Sequence, residues 1–176
     1  MKIHYLLFIL IAFVSCKVKT ESITSNTSKH NNLMKTECPV EGECSIQLLK
    51  NKQLLIKTEE TTGNLYPKIT AGNNLVIEFN YTKASPENIA DGTYSETIHF
   101  EIPSDFTELK KKNNDLVAVN LLYGKHCFCE EAGYYAVSEG ELIVQKQDTR
   151  IHLELTFKVD GIDSEIHHIV EVIDAE

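Results

Sequence analysis

Residues 151–172 alternate apolar and polar side chains in two runs separated by Asp160-Gly161, and that pattern admits little besides a β-hairpin. Side chains on a strand point to opposite faces with a period of two. Asp and Gly tolerate the positive φ that a two-residue hairpin turn needs. With the turn at 160–161, residues whose numbers add to 321 face one another, so Glu154 meets His167 and Leu153 meets His168. One face then collects Ile151, Leu153, Leu155, Phe157, Val159, Ile162, Ile166, Val170 and Val172. The other collects His152, Glu154, Thr156, Lys158, Asp163, Glu165, His167 and Glu171. A sheet with one dry and one wet side follows, and a slip of one residue would exchange the faces.

The same grammar runs upstream. After Cys38-Pro-Val-Glu-Gly-Glu-Cys44, short apolar runs alternate with turn residues at intervals of roughly 8 to 15 positions, the spacing of an all-β domain. Ser45–Leu49 and Gln53–Thr58 read as a hairpin around Asn51-Lys52. Leu75, Ile77, Phe79 and Tyr81 share a face, as do Tyr94, Ile98, Phe100 and Ile102, with Thr97, His99 and Glu101 opposite; Pro103 closes that strand. Ser104 to Lys112 reads as the single short helix, capped by Ser104, with acids at its start and Lys110-Lys111-Lys112 at its end. Leu116 to Tyr123 is apolar enough for a buried strand, and strands resume over Gly133–Val137 and Glu141–Lys146. The expected fold is an all-β, antiparallel β-sandwich of about 8–10 strands over residues 37–176, with a lipocalin-like β-barrel as the alternative.

The N-terminus is of another kind. Lys2 precedes the apolar run Tyr5–Val14, too short for a membrane helix of roughly 20 residues. Its end, Phe13-Val-Ser-Cys16, resembles the lipobox of a bacterial lipoprotein signal, with Phe13 where that motif usually has Leu. The resemblance implies that residues 1–15 are removed and that Cys16 is diacylated, so that the protein partners a membrane through a lipid anchor. Residues 16–36 are rich in Ser, Thr and Asn and lack apolar periodicity, which suits a flexible tether. The whole pattern is similar to the small uncharacterised lipoproteins of Bacteroidota, which implies a cell-envelope, outer-membrane location. Glu21, the nearest acid, stands five residues past Cys16, so a periplasm-facing location is favoured.

Charge excludes one class. Removing residues 1–15 takes Lys2 from the 17 basic residues and none of the 26 acidic ones, moving the net charge from −9 to −10. Such a chain repels a nucleic-acid backbone, and the three-lysine run is too short to reverse that.

Four cysteines remain once Cys16 is lipidated, and export makes disulfides the default for Cys38, Cys44, Cys127 and Cys129. If Cys127-Phe128-Cys129 is extended, its sulfurs share a face with Cα atoms about 6.6 Å apart, near the outer limit for a bridge. That favours both reaching Cys38 and Cys44, closing loops of more than about 80 residues worth about 4 kcal/mol each. The local scheme, Cys38 with Cys44 and Cys127 with Cys129, stays open. The competing reading is a copper or zinc site, or a thiol-exchange site, in which Cys127 and Cys129 act beside His126. The two-residue spacing of structural zinc cysteines is absent.

Other candidates are few. His152, Glu154 and His167, on the wet face of the last hairpin, could share a ligand, and Tyr66, Tyr81, Tyr94, Tyr123, Tyr134 and Tyr135 could line one. Ser138 lies in a turn with no strand-to-helix elbow, and phosphate loops, zinc-protease and calcium motifs are absent. The expectation is a non-enzymatic envelope lipoprotein without cofactor or resident metal, binding a small ligand or another envelope protein.

Overall fold

The computed structural model describes residues 38–83, 85 and 92–175. The signal segment, Cys16 and the tether lie outside them. The strands are β1 (Gly42–Thr58), β2 (Leu65–Lys83), β3 (Tyr94–Pro103), β4 (Glu108–Lys112), β5 (Leu122–His126), β6 (Gly133–Ala136), β7 (Glu139–Gln147), β8 (Arg150–Lys158) and β9 (His168–Asp174). They form a five-stranded sheet in the order β1-β2-β3-β5-β6 and a four-stranded sheet in the order β4-β7-β8-β9. Every pairing is antiparallel. The two sheets remain separate, so the fold is the sandwich and the barrel alternative falls.

The inner layer follows the alternation. Ile77, Phe79 and Tyr81 of β2 and Ile98, Phe100 and Ile102 of β3 meet Leu142, Val144, Ile151, Leu153 and Leu155 of the other sheet in one apolar cluster. Tyr123 of β5 and Phe157 of β8 span the two sheets with ring centroids 5.9 Å apart. Full burial of each such side chain stabilises by about 1.5–3 kcal/mol.

Four expectations fail, each for a physical reason. Asn51 does not turn a hairpin; it adopts a left-handed φ of 56° inside one continuous strand, β1. The register breaks between Lys50 and Gln53, opposite Ala71–Asn74, so β1 and β2 bend together as a long hairpin. Gly72 makes the bend possible, because a Cβ there would stand 2.6 Å from Gln53 Cβ. The turn at the far end is Glu59–Asn64, closed by Glu59 N–H to Asn64 O at 2.8 Å and Gly63 N–H to Glu59 O at 2.9 Å.

The helix expected at 104–112 is instead β4, whose lysines alternate and whose Lys110 pairs with Glu141 at 2.9 Å across the strands. The helix lies further on, as a 3-10 turn over Asn113–Val119 where a strand was expected. Its buried residues, Leu116 and Val119, stand three apart, which suits three residues per turn, while Val117 between them is 64% exposed. Asn113 and Asn120 take left-handed φ values of 50° and 52° at its two ends.

The last hairpin is displaced. Gly161, φ 73°, does turn the chain, with Ile162 N–H to Val159 O at 3.2 Å. Pairing, however, resumes only at His168, opposite Thr156. The register is shifted by three residues: Glu154 faces Val170 rather than His167, and Leu153 faces Glu171 rather than His168. An odd shift exchanges the faces of β9. Ile169 and Ile173 therefore enter the core, Glu171 shares their buried row, and Val172 turns outward.

Candidate functional site

The displaced hairpin exposes the first polar centre. Cross-strand partners Glu96 and Lys125 sit on the inner face of the five-stranded sheet at one end of the sandwich. Glu96 is fully buried and Lys125 is 7% exposed. The Glu96 carboxylate accepts hydrogen bonds from Glu165 N–H at 2.7 Å, Ile166 N–H at 2.9 Å and the Tyr94 hydroxyl. The Lys125 ammonium donates to Asp163 O at 2.8 Å and to the Glu131 carboxylate. Residues 163–166 are thereby drawn out of the hairpin and fastened to the opposite sheet. Burial first, and then the Glu96 carboxylate, holds the Tyr123 phenol well above its ordinary range. The same two causes act on Tyr94. The exposed side of this end carries Lys83 between Glu41 at 2.7 Å and Glu165 at 3.1 Å.

Both cysteine pairs lie at this end, and both are bonded locally. Cys44 is on β1 and Cys127 follows β5, with β2 and β3 between them. Three strand spacings amount to about 14 Å, beyond the reach of a disulfide. The long-range pairing is therefore excluded in favour of the local scheme. Pro39–Gly42 turns, with Gly42 N–H to Pro39 O at 3.1 Å, which brings the Cys38 and Cys44 Cα atoms to 5.8 Å. Residues 127–129 bend rather than extend, since β5 ends at His126, and their Cα atoms stand 5.3 Å apart. In the loop-entropy relation so small a ring is worth about 1.5 kcal/mol, against about 4 for the long loops. Phe128 at its apex is 94% exposed.

The outer face of the five-stranded sheet holds a second layer. Leu54, Val76 and Leu122 are fully buried yet lie outside the inter-sheet core. The distal half of the β1–β2 hairpin covers them. Leu54 N–H donates to Glu101 Oε2 at 2.9 Å, and Asn120 Nδ2 bridges Leu54 O at 3.1 Å and Glu101 Oε1 at 3.0 Å. Thr97, His99, His126 and Tyr134 share this face. His99, 5% exposed, donates from Nε2 to Glu78 Oε2 at 3.0 Å, leaving its buried Nδ1 without a partner among the described residues. Burial holds its imidazole below the ordinary value, outweighing the opposing pull of Glu78. His126 meets Thr97 Oγ1 at 3.2 Å and the edge of Tyr134 at 5.2 Å between ring centroids, and burial lowers it too. Gly124 makes room for this packing, since a Cβ there would stand 2.5 Å from Tyr134 Cε1 and 2.6 Å from Thr97 Oγ1.

Where the arm's tip meets β6, a surface cleft of about 280 Å³ opens. Leu65, Tyr134, Tyr135 and Val159 form its apolar wall, with Ser138, Glu139, Lys158 and Asp160 as its polar groups. Tyr135 is fixed by its hydroxyl donating to Glu131 O at 2.9 Å. The volume is near the lower limit of about 300 Å³ for small-molecule sites. It suits a small ligand or one side chain of a partner.

The wet-face candidates do not converge. His152 lies opposite Val172 with both ring nitrogens buried and without a partner among the described residues. Glu154 has His168 as its neighbour, Nε2 to Oε1 at 3.7 Å. His167, exposed, precedes β9 and among the described residues accepts at its carbonyl from Phe157 N–H at 3.0 Å. Among the described residues no group of three or more His, Cys, Asp and Glu side chains is gathered for a metal ion. The Tyr134–Tyr135 pair was visible as a sequence feature, but Leu65 and Lys158 were not, because a bent arm and a sheet-to-sheet crossing bring them there. The chain matches no protein-family model, no curated protein and no solved structure.

Proposed function

We propose that the protein is a lipid-anchored, periplasm-facing envelope lipoprotein whose β domain is a binding module rather than an enzyme. The observation that carries this reading is the cleft walled by Tyr134 and Tyr135 under the tip of the β1–β2 arm. Two rigid aromatic surfaces beside a few polar groups give contact area and orientation at small entropic cost, which is the usual make-up of a recognition site. Neither His99 nor His126 lines this cleft: His99 meets an acid and His126 meets a hydroxyl on the outer face, where both rings stand against the Tyr134 ring. The anchor rests on the lipobox-like end at Cys16. Two acyl chains hold stably where one holds marginally.

The test has two arms. Cys16→Ser moves the protein from the membrane to the soluble fraction; retention in the membrane refutes the anchor. Saturation-transfer NMR against a panel of saccharides and short peptides finds binders that Tyr134→Ala loses. Binding that survives Tyr134→Ala, or a panel without binders, refutes the cleft as the site.

A further inference from the structure

We propose that the Cys127–Phe128–Cys129 loop is a reversible dithiol–disulfide exchange site whose client is a cysteine pair on an unfolded polypeptide segment. The inference stands apart from the tyrosine cleft and rests on what this bond does not do. It joins residues two apart and ties no strand to another. The connection from β5 to β6 is already held without it, by Lys125 to Glu131, by the Tyr135 hydroxyl to Glu131 O at 2.9 Å and by Ala132 N–H to Cys129 O at 3.3 Å. Opening the bond therefore leaves the fold in place. Cys38–Cys44 differs, because it closes the entry of the domain and both its residues pack against the core.

Access is the second ground. Cys129 is exposed, Cys127 is half-buried, and Phe128 between them points into solvent. Disulfide exchange requires a thiolate to approach one sulfur in line with the bond, so exposure sets which bond reacts. An exposed disulfide that contributes little to the folded state is the labile kind. The apolar side chain at the apex gives an unfolded segment a place to rest beside the reacting sulfur.

The step balances as follows. A client thiolate attacks Cys129 Sγ, a client–Cys129 disulfide forms, and the Cys127–Cys129 bond breaks with Cys127 leaving as a thiolate that takes a proton from water. The client's second thiolate attacks its own sulfur in the mixed disulfide and releases Cys129. The client is oxidised from two thiols to one disulfide, and Cys127 and Cys129 are reduced to two thiols. A client disulfide reverses the sequence.

The experiment uses the mature full chain in detergent, held anaerobically in glutathione buffers, then alkylated and read by peptide mass spectrometry. Cys127–Cys129 is half-reduced at a ratio of reduced to oxidised glutathione at least tenfold below that for Cys38–Cys44, with the far-UV spectrum unchanged. Equal ratios, or reduction of Cys127–Cys129 only in urea, overturn the proposal. In a second arm a synthetic two-cysteine peptide is oxidised by one equivalent of the protein. Failure of the peptide to oxidise, or equal oxidation by a Cys127→Ala/Cys129→Ala chain, also overturns it.

Discussion

Glu96→Gln should destabilise the domain by about 3 kcal/mol, far more than a surface change of the same size. The carboxylate takes three hydrogen bonds, two of them from the backbone N–H groups of Glu165 and Ile166. Bonds to a charged group contribute about 1.5–3 kcal/mol each, so three would suggest a loss of about 4.5–9 kcal/mol. Against that, removing a buried charge returns its own desolvation cost of several kcal/mol. Glutamine keeps one acceptor oxygen but sets its NH₂ against the other backbone donor, leaving about one buried N–H orphaned at 1–3 kcal/mol. The balance is about 3 kcal/mol for Gln and somewhat more for Ala, where both donors are orphaned. With a urea slope of about 2 kcal/mol/M, the midpoint falls by about 1.5 M. The chain has no tryptophan, so far-UV circular dichroism follows unfolding, and amide exchange at Glu165 and Ile166 reports the loop directly. A midpoint within about 0.3 M of the parent, with both amides still protected, would show that Glu96 does not hold the loop.

Two further outcomes concern the outer face. His99 and His126 both have imidazoles held below the ordinary value by burial, so from about pH 6.5 downward to their lowered folded values the unfolded chain binds protons that the folded chain does not. Stability from this source is complete above about pH 6.5 and is lost as the pH falls; His99→Gln should flatten the change in urea midpoint between pH 7.5 and 5.5, and an unaltered slope would remove His99 from the account. Gly124→Ala drives a methyl into Tyr134 and Thr97 and should cost about 2 kcal/mol, read by thermal melting. Adding Tyr134→Ala should recover part of that loss, whereas strict additivity would refute the clash.

Alternation made the inner layer legible. Ile77, Phe79 and Tyr81, and Ile98, Phe100 and Ile102, face inward as a period of two requires, because those strands pair continuously. What failed were the places where a distant group overrides local pattern. Asp160-Gly161 is a sound turn signal and does turn. The residues after it satisfy their backbone through Glu96 and Lys125, about seventy and forty positions away, which no local pattern encodes. The lysine run at 110–112 reads equally well as a helix end or as alternating strand residues, and only the pairing with β7 decides. The cysteine pairing turned on whether residues 127–129 extend or bend, and strand order settled it. Of the binding candidates, His126 sits in a packed cluster with Thr97 and Tyr134, whereas His152, Glu154 and His167 were grouped by a register the chain does not adopt.

The captured loop bears on the order in which the chain assembles. An excised peptide covering residues 149–175 has only its own turn and alternation to follow, and would pair around Asp160-Gly161 with Val170 and Val172 on the face of Leu153. In the whole chain that pairing competes with the native one until β3 and β5 have met and placed Glu96 and Lys125 beside each other. The native partner of Glu96 is 69 residues away, a long loop to close, so we expect this contact to form after the local turn. The alternation thus offers a refolding chain a competing pairing three residues out of step with the native register, with Glu171 turned to solvent in place of Val172, and we expect it to be populated on refolding. Shifting from that pairing requires β9 to detach and re-pair, which sets a slow phase that Glu96→Gln should enlarge.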